Sequence, residues 1–312
     1  MLYVMFMALG ATGQMGFTKM PTIQTALLEI TYRDDGPRDA QVVLLLHGWP
    51  DDSSTWDAII PILNHAGLRT IAPTSRGFGE TRFLSPDTPR TGNAATLVLD
   101  VIEMLDALGI ESFSVAGHDW GASMAEMLAV GWPNRVDRIA MLSTPSRLGG
   151  LSTPPFWHAR LQWYHWFQAT RRGAQAVRED GKGFARVMWE TWSPEGWFDD
   201  VTFNRVATSF NNPDWVDVTL HSYRSRWDEA EPDPTSKWLD DKVKATKALA
   251  LPAIYFQGEL DGVNPPETSE KVAEKFTGQF ERIVLPGVGH FPTREVPAEV
   301  AARLVKHFRS AP

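Results

Sequence analysis

The feature that most limits how this chain can fold is an alternation of strand and helix patterns that stops once and then resumes. The apolar run 42–46, Val-Val-Leu-Leu-Leu, predicts a strand buried on both faces of a parallel sheet. Further strands are predicted at 23–32, 69–72, 112–116, 138–142, 253–257 and 282–285, and helices at 56–66, 95–108, 122–130, 267–276 and 298–308. This order predicts an α/β fold in which helices flank a mostly parallel sheet.

The alternation breaks between the predicted strands at 138–142 and 253–257. This stretch has helical patterns, several prolines and glycines and no buried strand pattern, and nine of the 13 tryptophans fall between residues 150 and 240. We therefore predict a core of residues 22–145 and 246–312 and a helical cap at 146–245. Bulky aromatic side chains in such a lid shield a pocket from water, which favours a small, neutral, apolar substrate.

Residues 1–21 precede the first predicted strand. They contain an apolar start without the basic residues that begin an export leader, and they are too short and too interrupted by glycine to span a bilayer. We expect a flexible extension or a start codon assigned too early.

Composition excludes several classes of function. The 312 residues carry a formal net charge of −8, which argues against a nucleic-acid partner because phosphate binding requires a basic face. The absence of Cys excludes a thiol nucleophile and thiolate metal sites. The Asp-Asp pairs at 51–52 and 240–241 lack His partners at metal-ligand spacing. We therefore expect neither a metal nor another cofactor. We expect a cytoplasmic protein with no membrane partner, and the sequence leaves a homodimer open.

The strongest chemical signal is the segment 116–122, Ala-Gly-His-Asp-Trp-Gly-Ala, between a predicted strand and a predicted helix. It has the shape of the nucleophile elbow, usually G-x-S-x-G, in which small residues allow a strained turn that lifts one side chain above the sheet. Here that side chain is the carboxylate of Asp119, and an ordinary helix-capping Asp is the alternative. A carboxylate nucleophile suits attack on a carbon that bears a strained oxygen or a halide, and activated water must then hydrolyse the resulting ester.

Loops after later strands offer a base and an acid. His290 lies in a glycine-rich loop after the last predicted strand, and we predict that it activates the water. His118 is a poorer base because it neighbours the nucleophile on the turn. Asp261 follows the preceding strand and is predicted to orient His290, with Glu259 as its competitor. The chain order of nucleophile, acid and histidine is the one found in this type of fold.

A further turn, His-Gly-Trp-Pro at 47–50, follows the buried strand at 42–46. We predict that the backbone N–H groups of Trp49 and Trp120 hold the oxyanion that develops during ester hydrolysis. His47, at the start of this turn, is predicted to contact the substrate.

These motifs together resemble a known family. With H-G-x-P at 47–50, G-H-D-W-G at 117–121 and Ser-Thr-Pro at 143–145, residues 19–312 resemble the α/β-hydrolase fold, and specifically its epoxide hydrolase and dehalogenase branch. The resemblance implies a triad of Asp119, His290 and Asp261 that needs no cofactor, and a cap that supplies hydrogen-bond donors to the leaving oxygen. Tyr223, in His-Ser-Tyr-Arg at 221–224, resembles the family's cap motif and is assigned as one of these donors.

The second donor is less clearly marked. Tyr-His-Trp at 164–166 is similar to an element of fluoroacetate dehalogenases, and also to epoxide hydrolases in which a His replaces one Tyr. We take His165 as the second donor and Tyr164 as its alternate. Trp166 is predicted to contact the substrate or a halide.

Departures from the dehalogenase pattern decide the predicted reaction. Fluoroacetate dehalogenases carry Arg one and four residues after the nucleophile, where this chain has Trp120 and Ser123. Haloalkane dehalogenases usually carry Asn or Glu after His-Gly, where this chain has Trp49. We therefore predict an epoxide hydrolase that forms a vicinal diol, with a haloalkane or haloacetate dehalogenase as the alternative. A non-enzymatic ligand-binding module is the remote alternative.

Overall fold

The structure is a computed structural model that describes residues 20–310. Most of the predicted extension at 1–21 lies outside the described residues. The described chain forms one sheet of nine strands: β1 (Thr22–Gln24), β2 (Leu28–Asp35), β3 (Val42–Leu46), β4 (Arg69–Pro73), β5 (Arg82–Phe83), β6 (Phe113–His118), β7 (Val136–Leu142), β8 (Ala253–Gly258) and β9 (Phe280–Leu285).

The sheet is parallel over most of its width. Its strand order is β1-β2-β4-β3-β6-β7-β8-β9, with β5 paired to β2. Strand β2 pairs antiparallel with β1, β4 and β5, whereas β4, β3, β6, β7, β8 and β9 are parallel to one another. In the central strand β3, Val43 and Leu45 belong to one apolar cluster and Leu44 and Leu46 to another. Both faces of β3 are therefore buried, as its continuous apolar pattern predicts.

Helices cover both faces of the sheet. The helices are α1 (Ile60–His65), α2 (Ala94–Ala107), α3 (Trp120–Gly131), α4 (Phe156–Ala159), α5 (Trp163–Ala169), α6 (Arg171–Glu179), α7 (Gly181–Trp192), α8 (Asp200–Ala207), α9 (Trp215–Ser225), α10 (Lys237–Ala245), α11 (Pro292–Glu295) and α12 (Pro297–Arg309). Helices α1 and α12 contact each other on one face, and α2, α3 and α10 pack together on the other. None of the helices in residues 20–310 is long and apolar enough to cross a membrane.

The segment between β7 and β8 is helical, as its pattern predicts. We call residues 146–245 the cap. Its last helix, α10, nevertheless packs against α2 and α3, because Leu239 and Val243 are four residues apart on one helical face and both enter the large apolar cluster. By its contacts, α10 therefore joins the helical layer of the core.

Three predicted elements differ from the structure. The predicted strand at 23–32 is a hairpin of β1 and β2, closed by a 2.8 Å hydrogen bond from the Thr25 N–H to the Leu28 carbonyl, and no Gly or Pro marks that turn. The predicted helix at 56–66 is a 3₁₀ turn (Ser53–Trp56) followed by the short α1, which begins next to Pro61.

The predicted helix at 267–276 is also wrong, because two 3₁₀ turns (Pro266–Ser269 and Val272–Lys275) take its place. The Ser269 hydroxyl donates to Gln257 Oε1 at 2.6 Å and accepts from Arg282 Nε at 3.1 Å. These bonds tie the first turn to β8 and β9. Local helical pattern is a weak preference, and such tertiary bonds override it.

Candidate active site

The turn between β6 and α3 holds Asp119 at the edge of the sheet. Asp119 has φ 52° and ψ −114°, a left-handed conformation that non-glycine residues rarely adopt. A Cβ at Gly117 would lie 1.9 Å from the Gly121 carbonyl oxygen, and a Cβ at Gly121 would lie 2.2 Å from the Leu46 carbonyl oxygen. The glycines therefore allow the close backbone approach that the elbow pattern predicts.

The two oxygens of Asp119 have different surroundings. Oδ1 accepts a 2.8 Å hydrogen bond from the Trp49 N–H, while Oδ2 lies 3.5 Å from His290 Nε2, longer than a good hydrogen bond. Burial opposes the negative charge, but His290, His118 and the Trp49 N–H together hold the pKa of Asp119 below its usual value. Asp119 is thus an ionised carboxylate with one oxygen fixed and the other free to react.

Asp261 fixes the ring of His290. Its Oδ2 lies 2.9 Å from His290 Nδ1, and its Oδ1 accepts the N–H groups of Val263 at 2.9 Å and Asn264 at 2.8 Å. Glu259 instead accepts the Gly287 N–H at 2.8 Å on the exterior. Of the two acids that the sequence offers, the structure therefore places Asp261 beside the histidine.

His290 is charged in the resting site. Burial opposes an imidazolium, but the carboxylates of Asp261 and Asp119 outweigh this effect and raise the pKa of His290 to about 10. The ring of His118 lies nearby, and its Nε2 is 2.6 Å from the His290 carbonyl oxygen. Burial and the positive charge of His290 lower the pKa of His118 to about 4. His118 is consequently neutral and holds the backbone of the His290 loop.

Two residues that the sequence did not reveal support the same loop. The Ser193 hydroxyl accepts the His290 N–H at 2.7 Å and donates to Glu295 Oε1 at 2.7 Å. Glu295 also accepts the N–H groups of Gly289 at 2.7 Å and Phe291 at 2.9 Å. Ser193 lies 97 positions from His290. No local motif signals a contact over such a separation.

A cavity of about 290 Å³ lies above Asp119, between the sheet edge and the cap, and Tyr164 and His165 line it. The Tyr223 ring centre is 5.3 Å from that of Tyr164 and 4.8 Å from that of His165. Burial, with the nearby charge of Asp119, holds the pKa of both tyrosines well above the usual value. Both phenols are therefore neutral hydrogen-bond donors.

The surroundings of His165 determine which of its ring nitrogens carries the proton. Trp227, on the cavity wall, donates its indole N–H to His165 Nδ1 at 3.1 Å. Burial and the charge of Arg226 keep the pKa of His165 well below the usual value, so the ring is neutral and its proton resides on Nε2. Nε2 is buried and has no hydrogen-bond partner among residues 20–310. Trp227, which the sequence did not single out, thus fixes the tautomer that makes His165 a donor.

Two predicted substrate contacts are not supported. Trp166 is 36% exposed, does not line the cavity, and donates its indole N–H to the Ala159 carbonyl at 3.3 Å. Trp166 directly follows the buried His165 on α5, so its side chain leaves the helix on a more exposed side. His47 is buried, with Nε2 accepting the Ser75 N–H at 3.0 Å and Nδ1 2.9 Å from the Gly48 carbonyl. Both ring nitrogens of His47 are therefore bonded to backbone groups. Through these bonds His47 positions the turn that contains Trp49.

The second predicted oxyanion donor lies beside Asp119. Trp120 is the first residue of α3, so its N–H belongs to the helix-terminal groups that have no acceptor within the helix. Its role as an oxyanion donor stays a prediction. No group of three or more His, Asp or Glu side chains in residues 20–310 is arranged to hold a metal ion.

Known proteins share this sequence and architecture. Epoxide hydrolase B of Mycobacterium tuberculosis is 34% identical over 85% of this chain and 91% of its own length. Epoxide hydrolase A of the same species is 24% identical over 94% of this chain and 98% of its own length. The crystal structure of a "putative epoxide hydrolase" from Klebsiella pneumoniae subsp. pneumoniae has 36% sequence identity and a TM-score of 0.88, and the match covers 94% of this chain and 98% of that one.

The family assignment rests on most of the chain. The sequence profile of the alpha/beta hydrolase fold matches residues 41–293, which run from just before β3 to just beyond His290. The mostly parallel sheet, the strand–elbow–helix turn and the order of Asp119, Asp261 and His290 agree with that match. The chain belongs to the α/β-hydrolase fold family.

Proposed function

We infer that this protein is an enzyme, an epoxide hydrolase that converts a small epoxide to a vicinal diol with water as co-substrate. Relatives named epoxide hydrolase that match over most of this chain support this function. The observation that carries the mechanism is the free Oδ2 of Asp119 beneath a cavity that also presents the neutral donors Tyr164 and His165.

Ring opening is the first step. Oδ2 of Asp119 attacks an oxirane carbon, the carbon–oxygen bond of the ring breaks, and an ester forms between the substrate and Asp119. Tyr223 and the Nε2–H of His165 donate hydrogen bonds to the oxygen as it becomes an alkoxide, with Tyr164 as the alternate donor. Because both phenols and His165 are neutral, they donate without placing a second positive charge in the site.

The resting proton on His290 balances this step. The alkoxide takes up one proton, and the imidazolium is the group that can lose one once Asp119 has become an uncharged ester. Loss of the adjacent carboxylate charge lowers the pKa of His290 and favours loss of its proton to the alkoxide, which leaves the neutral ring that the second step needs as a base. Ester formation itself therefore prepares the base for the second step.

Ester hydrolysis completes the cycle. Neutral His290 takes a proton from water, and the hydroxide attacks the carbonyl carbon of the ester. Oδ1, already held by the Trp49 N–H, bears the developing negative charge, with Trp120 as the proposed second donor. The alkyl–oxygen group leaves as the diol after taking the proton of the newly formed carboxylic acid. Asp119 and His290 return to carboxylate and imidazolium.

Isotope labelling tests the two-step route. In a single turnover with excess enzyme in ¹⁸O water, styrene oxide should give unlabelled diol, and the peptide that carries Asp119 should gain one ¹⁸O atom. Direct attack of water on the epoxide would instead place ¹⁸O in the diol and leave Asp119 unlabelled. A His290→Gln variant should accumulate the ester on Asp119, and a double variant with Asp119→Asn serves as the control that cannot form it.

A product assay separates the alternative functions. Styrene oxide, 1-chlorobutane and fluoroacetate are each incubated with the protein, and diol and halide are measured. Halide without diol would favour a dehalogenase, and neither product would favour a ligand-binding module. The outward position of Trp166 removes one predicted halide donor. The cytoplasmic location and the homodimer stay predictions from the sequence.

Variants of the three candidate donors test which side chains bind the leaving oxygen, and they distinguish His165 from Tyr164 as the second donor. Tyr223→Phe should slow ring opening at least tenfold, because removal of a hydrogen bond to a charged group costs about 1.5–3 kcal/mol. His165→Gln should give a comparable loss and Tyr164→Phe a smaller one. The reverse order would assign the role to Tyr164.

A further inference from the structure

Two arginines line the wall of the active-site cavity. Arg147 follows β7 and Arg226 follows α9, and both side chains also line a neighbouring surface depression. Neither guanidinium forms an ion pair within 4.0 Å among residues 20–310. Arginines inside proteins are ordinarily paired. Two unpaired guanidiniums on one wall therefore call for a functional explanation.

Arg226 is the better placed of the two. Its Nε atom is buried and has no hydrogen-bond partner in the described chain. Its guanidinium carbon lies 5.2 Å from the centre of the ring of Tyr223, the proposed ring-opening donor. Arg226 therefore lies over the ring of the proposed donor, and its side chain also lines the cavity above Asp119.

The two charges repel each other. Burial, followed by the charge of Arg226, lowers the pKa of Arg147 to about 10. Glu126 and Asp240 are the acids whose charges act on Arg147 in the opposite sense. The Glu126 carboxylate is already bonded to the Ser146 hydroxyl and to the backbone N–H of Arg147. Neither acid forms an ion pair with the Arg147 guanidinium, so an added anion would relieve the repulsion.

We propose that the substrate carries a carboxylate, which Arg147 and Arg226 bind while the epoxide ring faces Asp119. This inference rests on the proposed epoxide hydrolase function and names its substrate class. A guanidinium offers a planar fork of N–H donors that fits a carboxylate, and the cavity of about 290 Å³ is at the small end of ligand sites. The expectation of a neutral substrate, which came from the tryptophan-rich cap, is replaced by an epoxide of a compact organic acid.

A pair of substrates tests the proposal. 4-(Oxiran-2-yl)benzoate and its methyl ester differ in charge at the far end of the molecule from the epoxide. The wild-type protein should hydrolyse the acid with kcat/KM at least about tenfold higher than the ester, chiefly through a lower KM, as expected for hydrogen bonds to a charged group. Arg226→Gln and Arg147→Gln should each move this ratio towards one. Arg172→Gln, at an exposed position on α6, should leave the ratio unchanged.

Binding of unreactive analogues makes the test independent of turnover. 4-Vinylbenzoate and 4-vinylbenzamide have no epoxide, and their binding is measured through quenching of the tryptophan fluorescence. The benzoate should bind more tightly to the wild type, and Arg226→Gln should abolish that preference. Equal kcat/KM for acid and ester would overturn the carboxylate subsite and leave the epoxide hydrolase function intact. Absence of diol from every epoxide would overturn the proposed function, and equal binding of benzoate and benzamide would then overturn the anion site as well.

Discussion

The charge coupling between Asp119 and His290 gives the sharpest prediction. Asp119→Asn removes the carboxylate 3.5 Å from His290 Nε2 and keeps the shape of the side chain, so it imitates the uncharged ester. An opposite charge at this distance raises the pKa of a histidine by about 1–3 pH units. The pKa of His290 should therefore fall by that amount from its resting value of about 10, which corresponds to roughly 1–4 kcal/mol of coupling.

Nuclear magnetic resonance titration of the imidazole nitrogens measures this shift. The wild type and Asp119→Asn are titrated from pH 5 to 11, and His290→Gln identifies the resonance. Arg172→Gln, at an exposed position on α6, is the matched control and should leave the pKa of His290 unchanged. An unchanged or higher pKa of His290 in Asp119→Asn would refute the proposal that ester formation converts His290 to a base.

The same coupling has a consequence for stability. The pKa of His290 is raised on folding, so its stabilising contribution is complete below its unfolded value of 6.5 and is lost as the pH rises towards 10. The free energy of unfolding of the wild type should fall over that window. The fall should be smaller in Asp119→Asn, as followed by urea unfolding at a series of pH values.

Three further predictions concern residues around the site. Trp227→Phe removes the bond that fixes the tautomer of His165 and should lower the rate of ring opening about tenfold, measured by single-turnover kinetics. Ser193→Ala removes the acceptor of the His290 N–H and should cost about 1–3 kcal/mol of unfolding free energy and slow ester hydrolysis more than ring opening. Burial raises the pKa of Glu126 from 4.5 to about 7, so wild-type stability should fall relative to Glu126→Gln by roughly 3 kcal/mol as the pH rises from 4.5 to 7.

A control variant or a contradicting result is available for each of these three predictions. Trp238→Phe changes a half-exposed cap tryptophan that packs on Trp132, and it should leave ring opening unaffected. Equal slowing of both half-reactions by Ser193→Ala would show a general loosening of the fold. A constant stability difference between wild type and Glu126→Gln across pH 4.5 to 7 would contradict the raised pKa of Glu126.

Local sequence patterns predict the fold and the proposed reacting groups. The strand–helix order predicts the parallel sheet, because buried strands and one-sided helices leave direct marks in hydrophobic periodicity. The glycines beside Asp119 predict the elbow, because only small residues permit that backbone approach. His290 and Asp261 follow successive parallel strands, whose ends meet at one edge of the sheet. The error at 267–276 arose where hydrogen bonds between separate segments overrode local preference, and the hairpin at 23–32 was missed because no Gly or Pro marks its turn.

The tertiary structure alone decided how the proposed reacting groups are supported and which charges surround them. The bonds of Ser193 to the His290 loop and of Trp227 to His165 join separate parts of the chain, and neither pair forms a motif. The pKa values of His290 and His118 lie on opposite sides of neutrality, because burial and neighbouring charges act on them differently. No sequence motif signals the surroundings of Arg226, which lies over the ring of Tyr223 and forms no ion pair within residues 20–310. A pattern of residues predicts which groups could react. Their protonation states depend on burial and on distances between charges, which are known only once the chain has folded.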